Sequence, residues 1–344
     1  MQSQILIAIC AIVVLPISGW AQECPHERSW VDTNSSHAEA VAVVGNYAFL
    51  GLWGGNLWTI DISDPDSPFF VDNYTTMGSP LDLVVAGDYV YIADYNGFLT
   101  IADVSDPSDV QWVAYYDPAG SDYGRAVAVS GDYAYVGGSE GLFEIVDISS
   151  PAAPLHVGSI DTLSNPQAIK LANGLAYVAD EYEGLKILDV GTPTAPTVIG
   201  SFDTIGKARD VHIEGAKAYV ADDNGGLRII DVNAPATPTE VGSWGYAGGN
   251  RLWNVDKKTG GILVVTNYWP NAVHVVDVSD PSAPEELGTA TIFHSGKDVA
   301  IVDWNAFVAG DEGGFHIFSL DPCVSVFADG FESGTTDDWD LAVP

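Results

Sequence analysis

The chain has 344 residues, with 47 acidic against 12 basic side chains and a formal net charge of −35. So acidic a surface repels polyanions, which excludes nucleic acid and anionic membranes as general partners and favours solubility. Hydrophobic residues make up 47%, and the 36 glycines, 19 prolines, 15 tyrosines and 10 tryptophans describe many short strands joined by turns.

The first segment, MQSQILIAICAIVVLPISGWAQ, carries an apolar run from Ile5 to Ile17. Gly19 and Ala21 supply the small residues of a signal-peptidase site, so residues 1–21 read as a signal peptide cut after Ala21. Thirteen apolar residues are too few to span a bilayer comfortably. The expectation is a secreted or cell-surface protein with no membrane span after processing.

From about residue 38 a unit of some 43 residues repeats. An aspartate ends an apolar strand at Asp61, Asp103, Asp147, Asp189, Asp231 and Asp277, and Ser319 stands in the seventh place. A second marker lies about 12 residues upstream: Phe49, Tyr91, Tyr135, Tyr177, Tyr219, Val264 and Phe307. Each unit divides at turn residues into four short strands, as in AVAVSG, YAYVGG, LFEIVDI and PLHVGSID of the third. Four strands per unit, seven times over, predict an all-β, seven-bladed β-propeller.

The segments LRIIDVNAPATPTEVGSW and VHVVDVSDPSAPEELGT, with AYVAD upstream, resemble the LVIVD repeats of bacterial extracellular propellers over residues 38–321. The resemblance implies the fold and secretion, and no settled activity. Unit six departs from it, because NVDKKTGGILVV lacks the tyrosine, so an irregular first hairpin is expected there.

The seventh unit stops after its third strand. HERSWVDTNSSH near the N-terminus aligns with PLHVGSIDTLSN, so the first mature strand is expected to complete the last blade. Cys24 and Cys323 flank this break, where an internal unit has only a short turn, and are expected to be disulfide-bonded. The propeller is accordingly assigned to residues 22–323. The tail, residues 324–344, resembles the DGFESGDTSAWS-type ending of secreted bacterial proteins through Phe331-Glu332-Ser333-Gly334 and Trp339. Sorting, processing or an acidic disordered end all fit it.

Catalytic motifs are missing: there is no Walker loop, G-x-S-x-G, H-E-x-x-H or zinc spacing of Cys and His. No catalytic residue, metal ligand or cofactor is assigned. His274 and His316 share one repeat position, which reads as partly solvated between blades and leaves a metal pair open. The repeated aspartates read as acceptors for the Ser-Asp-Pro turns that follow them. Acidic loops at Asp94, Glu140, Asp180-Glu181, Asp222-Asp223 and Asp311-Glu312 leave calcium open.

Scarce bases gather just before the first strands, where the chain enters the central channel. Arg125, Arg209, Arg251 and Lys297, with Tyr246 and Trp253, are therefore the candidate ligand-binding set. The leading functional reading is a non-enzymatic extracellular binding or adhesion module for a glycan or protein. The alternatives are a hydrolase acting on carbohydrate or phosphoester at the channel mouth, and a purely structural surface protein.

Overall fold

The computed structural model describes residues 24–34, 36–118, 123–161, 163–245, 251–258, 260–321 and 323. Residues 1–21, expected to be a signal peptide, the tail at 324–344 and Tyr246 lie outside these described residues. No helix among them is long and apolar enough to cross a membrane.

The described residues form 28 strands, numbered β1 to β28 in chain order, in seven four-stranded antiparallel sheets. The innermost strands are β2 (Ala38–Val44), β6 (Pro80–Ala86), β10 (Gly124–Ser130), β14 (Ala168–Ala172), β18 (Asp210–Glu214), β22 (Arg251–Lys258) and β26 (Gly296–Val302). Six sheets take four consecutive strands each, and the seventh has the order β1-β28-β27-β26. In that sheet β1 (His26–Val31) pairs with β28 (Gly314–Ser319), so the first strand does complete the last blade.

The core lies between blades. Each upstream marker packs on the next blade in the ring. Tyr91 meets Val127 and Ala134, Tyr135 meets Ile169 and Ala176, and Phe307 crosses the closure to Val41 and Ala48. A large ring facing a small residue lets two twisted sheets interdigitate without a void. The pattern recurs because each blade must present one face to each neighbour.

The aspartate marker caps the turns. The backbone amide two residues on donates to Oδ1 of Asp61, Asp103, Asp147, Asp189, Asp231 and Asp277 at 2.8–2.9 Å. These aspartates are turn acceptors, as their recurrence implied.

At the closure Cys24 and Cys323 form a disulfide, with Cα atoms 5.0 Å apart. Cys24 also reproduces a turn contact. A Cβ at Gly242 would stand 1.9 Å from the carbonyl oxygen of Pro281, and one at Gly288 would stand 2.0 Å from that of Cys24. Cys24 thus occupies the place that a turn proline holds at an internal seam. Blade six is irregular where expected: β22 slips register twice against β23 (Ile262–Trp269).

Candidate functional site

The inner strands enclose a channel of about 340 Å³. One residue near the start of each strand reaches its mouth: Glu39, Leu81, Arg125, Gln167, Arg209, Trp253 and Lys297. Gln167 Oε1 accepts from Arg125 Nη1 and from Arg209 Nη1, each at 3.3 Å, and so holds two guanidinium groups side by side. The Nε atoms of both arginines are buried and without a hydrogen-bond partner. Arg125 also donates to the Tyr123 hydroxyl at 2.7 Å and pairs with no carboxylate among the described residues.

The other cations are partly neutralised. Arg209 faces Glu181 and Asp223, each at 3.5 Å, and Lys207 meets Glu181 at 3.0 Å. Lys297 stands 3.8 Å from Glu39. Although burial opposes it, the pull of Arg251 and Arg209 holds the Asp223 carboxyl below its usual range. The Trp253 ring lies 4.7 Å from the Arg209 guanidinium and 4.5 Å from Lys297 Nζ, and packs on Tyr268 at 5.7 Å. Its negative π-faces attract both cations, so it gathers them at the mouth.

The candidate set therefore divides. Arg125, Arg209, Lys297 and Trp253 line the channel mouth. Arg251 does not. The register slips in β22 put Trp253 in the lining position, and Arg251 turns to the rim. There it donates to Asp223 at 2.7 and 3.1 Å and lies over Tyr268.

A second layer lies deeper. The residue after the mouth position is Asp82, Asp210, Asn254 or Asp298 in four blades, and each accepts the backbone amide of the next inner strand. The amides are those of Val127 at 2.8 Å, Val255 at 3.0 Å, Val299 at 3.2 Å and Val41 at 2.8 Å. Asp256, two residues further in, accepts from Ile301 at 2.8 Å and pairs with His212 at 3.0 Å. These contacts clip neighbouring blades together at the axis.

The side chains of this layer border the channel, and seven strands enclose them. That enclosure, with Asp82 and Asp210 nearby, pushes the Asp298 carboxyl up to about 8, and burial pushes Asp82 up to about 6. Lys170 lines the same channel. Lys170 is exposed to the channel space, yet enclosure by the inner strands opposes its charge; Asp210, Asp82, Asp256 and Asp298 outweigh that and hold its ammonium protonated, above the usual lysine range. Lys170 and Asp256 escaped sequence reasoning because neither recurs at its position in the other blades.

One further reading changes. The position of His274 and His316 is buried: both are under a tenth exposed, as are Thr100, Glu144 and Arg228. Each histidine binds its own blade's outer strand, His274 to Glu286 at 2.8 Å and His316 to Glu27 at 2.7 Å. The side chains point along the sheet to the outer strand, so the two do not form a metal pair. The acids Asp94, Asp180 and Asp222 are likewise engaged, accepting loop amides from Gly78, Ser164 and Gly206. Burial pushes the Asp222 carboxyl up to about 6, against the hydrogen bond from Thr204.

Fold and site together define a closed seven-bladed β-propeller with a polar, cation-lined mouth above an acidic channel. The chain belongs to the LVIVD-repeat family: LVIVD repeats are matched at residues 35–76, 77–117, 123–162, 165–204, 205–245 and 266–291, more than half its length. The last match covers only part of blade six, where the first hairpin is irregular. No curated protein matches the sequence. Among solved structures the chain is similar to U3-55K (TM-score 0.74, 9% identity, 86% of this chain and 100% of that one). The WD40 repeats of RRP9 give a TM-score of 0.74 at 8% identity, over 86% of this chain and 99% of theirs. The computationally designed Ika8 protein gives 0.64 at 12% identity, over 86% and 99%. At these identities the likeness is one of fold alone.

Proposed function

We propose that the protein is a secreted, non-enzymatic binding propeller whose mouth takes the anionic group of a larger ligand, an acidic glycan. The observation that carries this reading is the pair of guanidinium groups held together by Gln167. Like charges placed side by side cost free energy, and an anion between them removes that cost. Arg125, with no carboxylate partner, is the principal anchor.

Aromatic side chains extend the surface. The Trp53 and Tyr95 rings lie 5.6 Å apart, and Tyr95 and Tyr123 lie 4.4 Å apart, leading to the Tyr123 hydroxyl that holds Arg125. Trp53 and Tyr95 are exposed. Such a row offers apolar faces to sugar rings next to a cationic pocket. Trp253 is already engaged by two cations, so its part is to position them.

The hydrolase reading needs a carboxylic acid with an oxygen free to face substrate. Asp82 and Asp298 each use both oxygens to accept backbone amides, which favours a clamp. The test is retention on an array of acidic and neutral glycans. Wild type is expected on uronate- or sulfate-bearing glycans only, and Arg125→Ala with Arg209→Ala is expected to lose them while melting nearly unchanged. Equal retention of the double variant, or wild type held by no acidic glycan, would refute the proposal.

A further inference from the structure

At the seam between the last blade and the first, a second group of side chains converges, separate from the guanidinium pair. His37 stands just before β2 and Glu39 sits at the register irregularity near its start, and the two side chains come together there. Asp311 reaches them from the loop between β27 (Asn305–Gly310) and β28, and its carbonyl fixes that loop by accepting Ala38 N at 3.1 Å. One ligand-type atom from each of His37, Glu39 and Asp311 lies within 4.8 Å of the others.

The hydrogen bonding inside this group is incomplete. Asp311 Oδ2 accepts from the Ser295 hydroxyl at 3.0 Å. Asp311 Oδ1 is buried and accepts no hydrogen bond, although His37 Nδ1 stands 2.5 Å away. Glu39, mostly buried, has one ion pair among the described residues, to Lys297 at 3.8 Å. Two carboxylates and an imidazole thus face one another, with Asp311 Oδ1 met only by a close His37 contact that lacks hydrogen-bond geometry, an arrangement a small cation completes. Glu312 stands 3.5 Å from His37 Nε2 and 4.0 Å from His294 Nδ1, so further ligand-type side chains border the group.

We propose that His37, Glu39 and Asp311 form a three-ligand binding site for a divalent transition ion of the zinc type. One imidazole with carboxylates suits such an ion, whereas calcium takes six to eight oxygens. Ligands about 2.1 Å from one ion stand farther apart than His37 and Asp311 do, so binding swings the half-exposed His37 ring outward.

The probes are zinc, by competition with a chromogenic chelator, and cobalt, by its visible absorption. Wild type is expected to hold one competitive zinc and to give ligand-field bands with cobalt. His37→Gln and the near-isosteric Asp311→Asn are each expected to weaken zinc by at least about tenfold and to lose the bands. His156→Gln, on the outer strand of blade three, is expected to bind as wild type. Circular dichroism melting checks each fold, and Asp311→Asn carries the test if His37→Gln unfolds. Excess calcium is expected to leave the zinc in place. Wild type that takes no zinc, variants that take it equally, or displacement by calcium would overturn the proposal.

Discussion

The carboxylate of Asp298 accepts the backbone amide of Val41 at 2.8 Å, joining the last inner strand to the first across the closure of the ring. Asp82 and Asp210 make the same contact to the strand that follows each of them, and Asn254 makes it to Val299. The acidic residues beside the mouth are thus part of what closes the propeller.

Asp298→Ala removes an acceptor from Val41 and is expected to cost about 1 kcal/mol, at the low end for a lost partner because solvent can substitute. Asp298→Asn keeps one acceptor oxygen, as Asn254 does naturally. The folded carboxyl sits at about 8 and an unfolded one near 3.9, so the folded state holds the extra proton between those values. This contribution to stability is complete below about pH 4 and is lost as pH rises toward 8. Asp82, at about 6, adds to it over the lower part of that window. Asp298→Asn should therefore show a smaller fall in melting temperature between pH 5 and 8.5 than wild type. An unchanged slope would mean that Asp298 does not titrate there.

Lys170→Met leaves the four channel carboxylates without their ammonium. The expected loss is about 1–2 kcal/mol near pH 8, below that of a dry buried pair because Lys170 is exposed to the channel and Asp82, Asp256 and Asp298 are only part-buried. At pH 5 the loss should shrink, since Asp298 and Asp82 are then largely protonated. Denaturant unfolding at the two pH values measures both, and equal losses would contradict the charge argument.

The disulfide spans 299 residues of sequence. Cys24→Ser is expected to lower stability by about 2–5 kcal/mol, because it removes the covalent link at that seam. Non-reducing mass spectrometry of wild type should find the two cysteine peptides joined, and a variant that melts with wild type would show the bond to be dispensable.

Gly288 meets the Cys24 carbonyl so closely that an added methyl must displace backbone. Gly288→Ala is expected to cost about 1–3 kcal/mol. Ala at Gly191, where the nearest atom to the new Cβ is the Asp189 carboxylate at 3.2 Å, should cost much less. Thermal melting of the pair separates the seam effect from a general glycine effect.

The blades, the seam and the disulfide were legible because they follow from features written seven times, and a break in a repeat shows where the chain must borrow. Asp147 and its counterparts could be assigned to turns for the same reason. The channel lining was legible only as far as it shares a repeat position: Arg125, Arg209 and Lys297 stand at the mouth as expected, whereas unit six signals an irregular hairpin without showing that the slip puts Trp253 in the lining and Arg251 on the rim. Lys170 and the group at His37 were hidden differently. They are single departures from the repeat, and closure brings Asp311 to His37 from the far end of the sequence.

The account turns on Arg125 as an anchor with no carboxylate partner among the described residues. Isothermal titration of wild type and Arg125→Ala with one uronate-bearing oligosaccharide tests this most directly. The account predicts saturable one-to-one binding by wild type, weakened by added salt, and at least about tenfold weaker binding by the variant, the 1.4 kcal/mol of a modest charged contact. Equal affinity in the two proteins, or no binding by wild type, would contradict it.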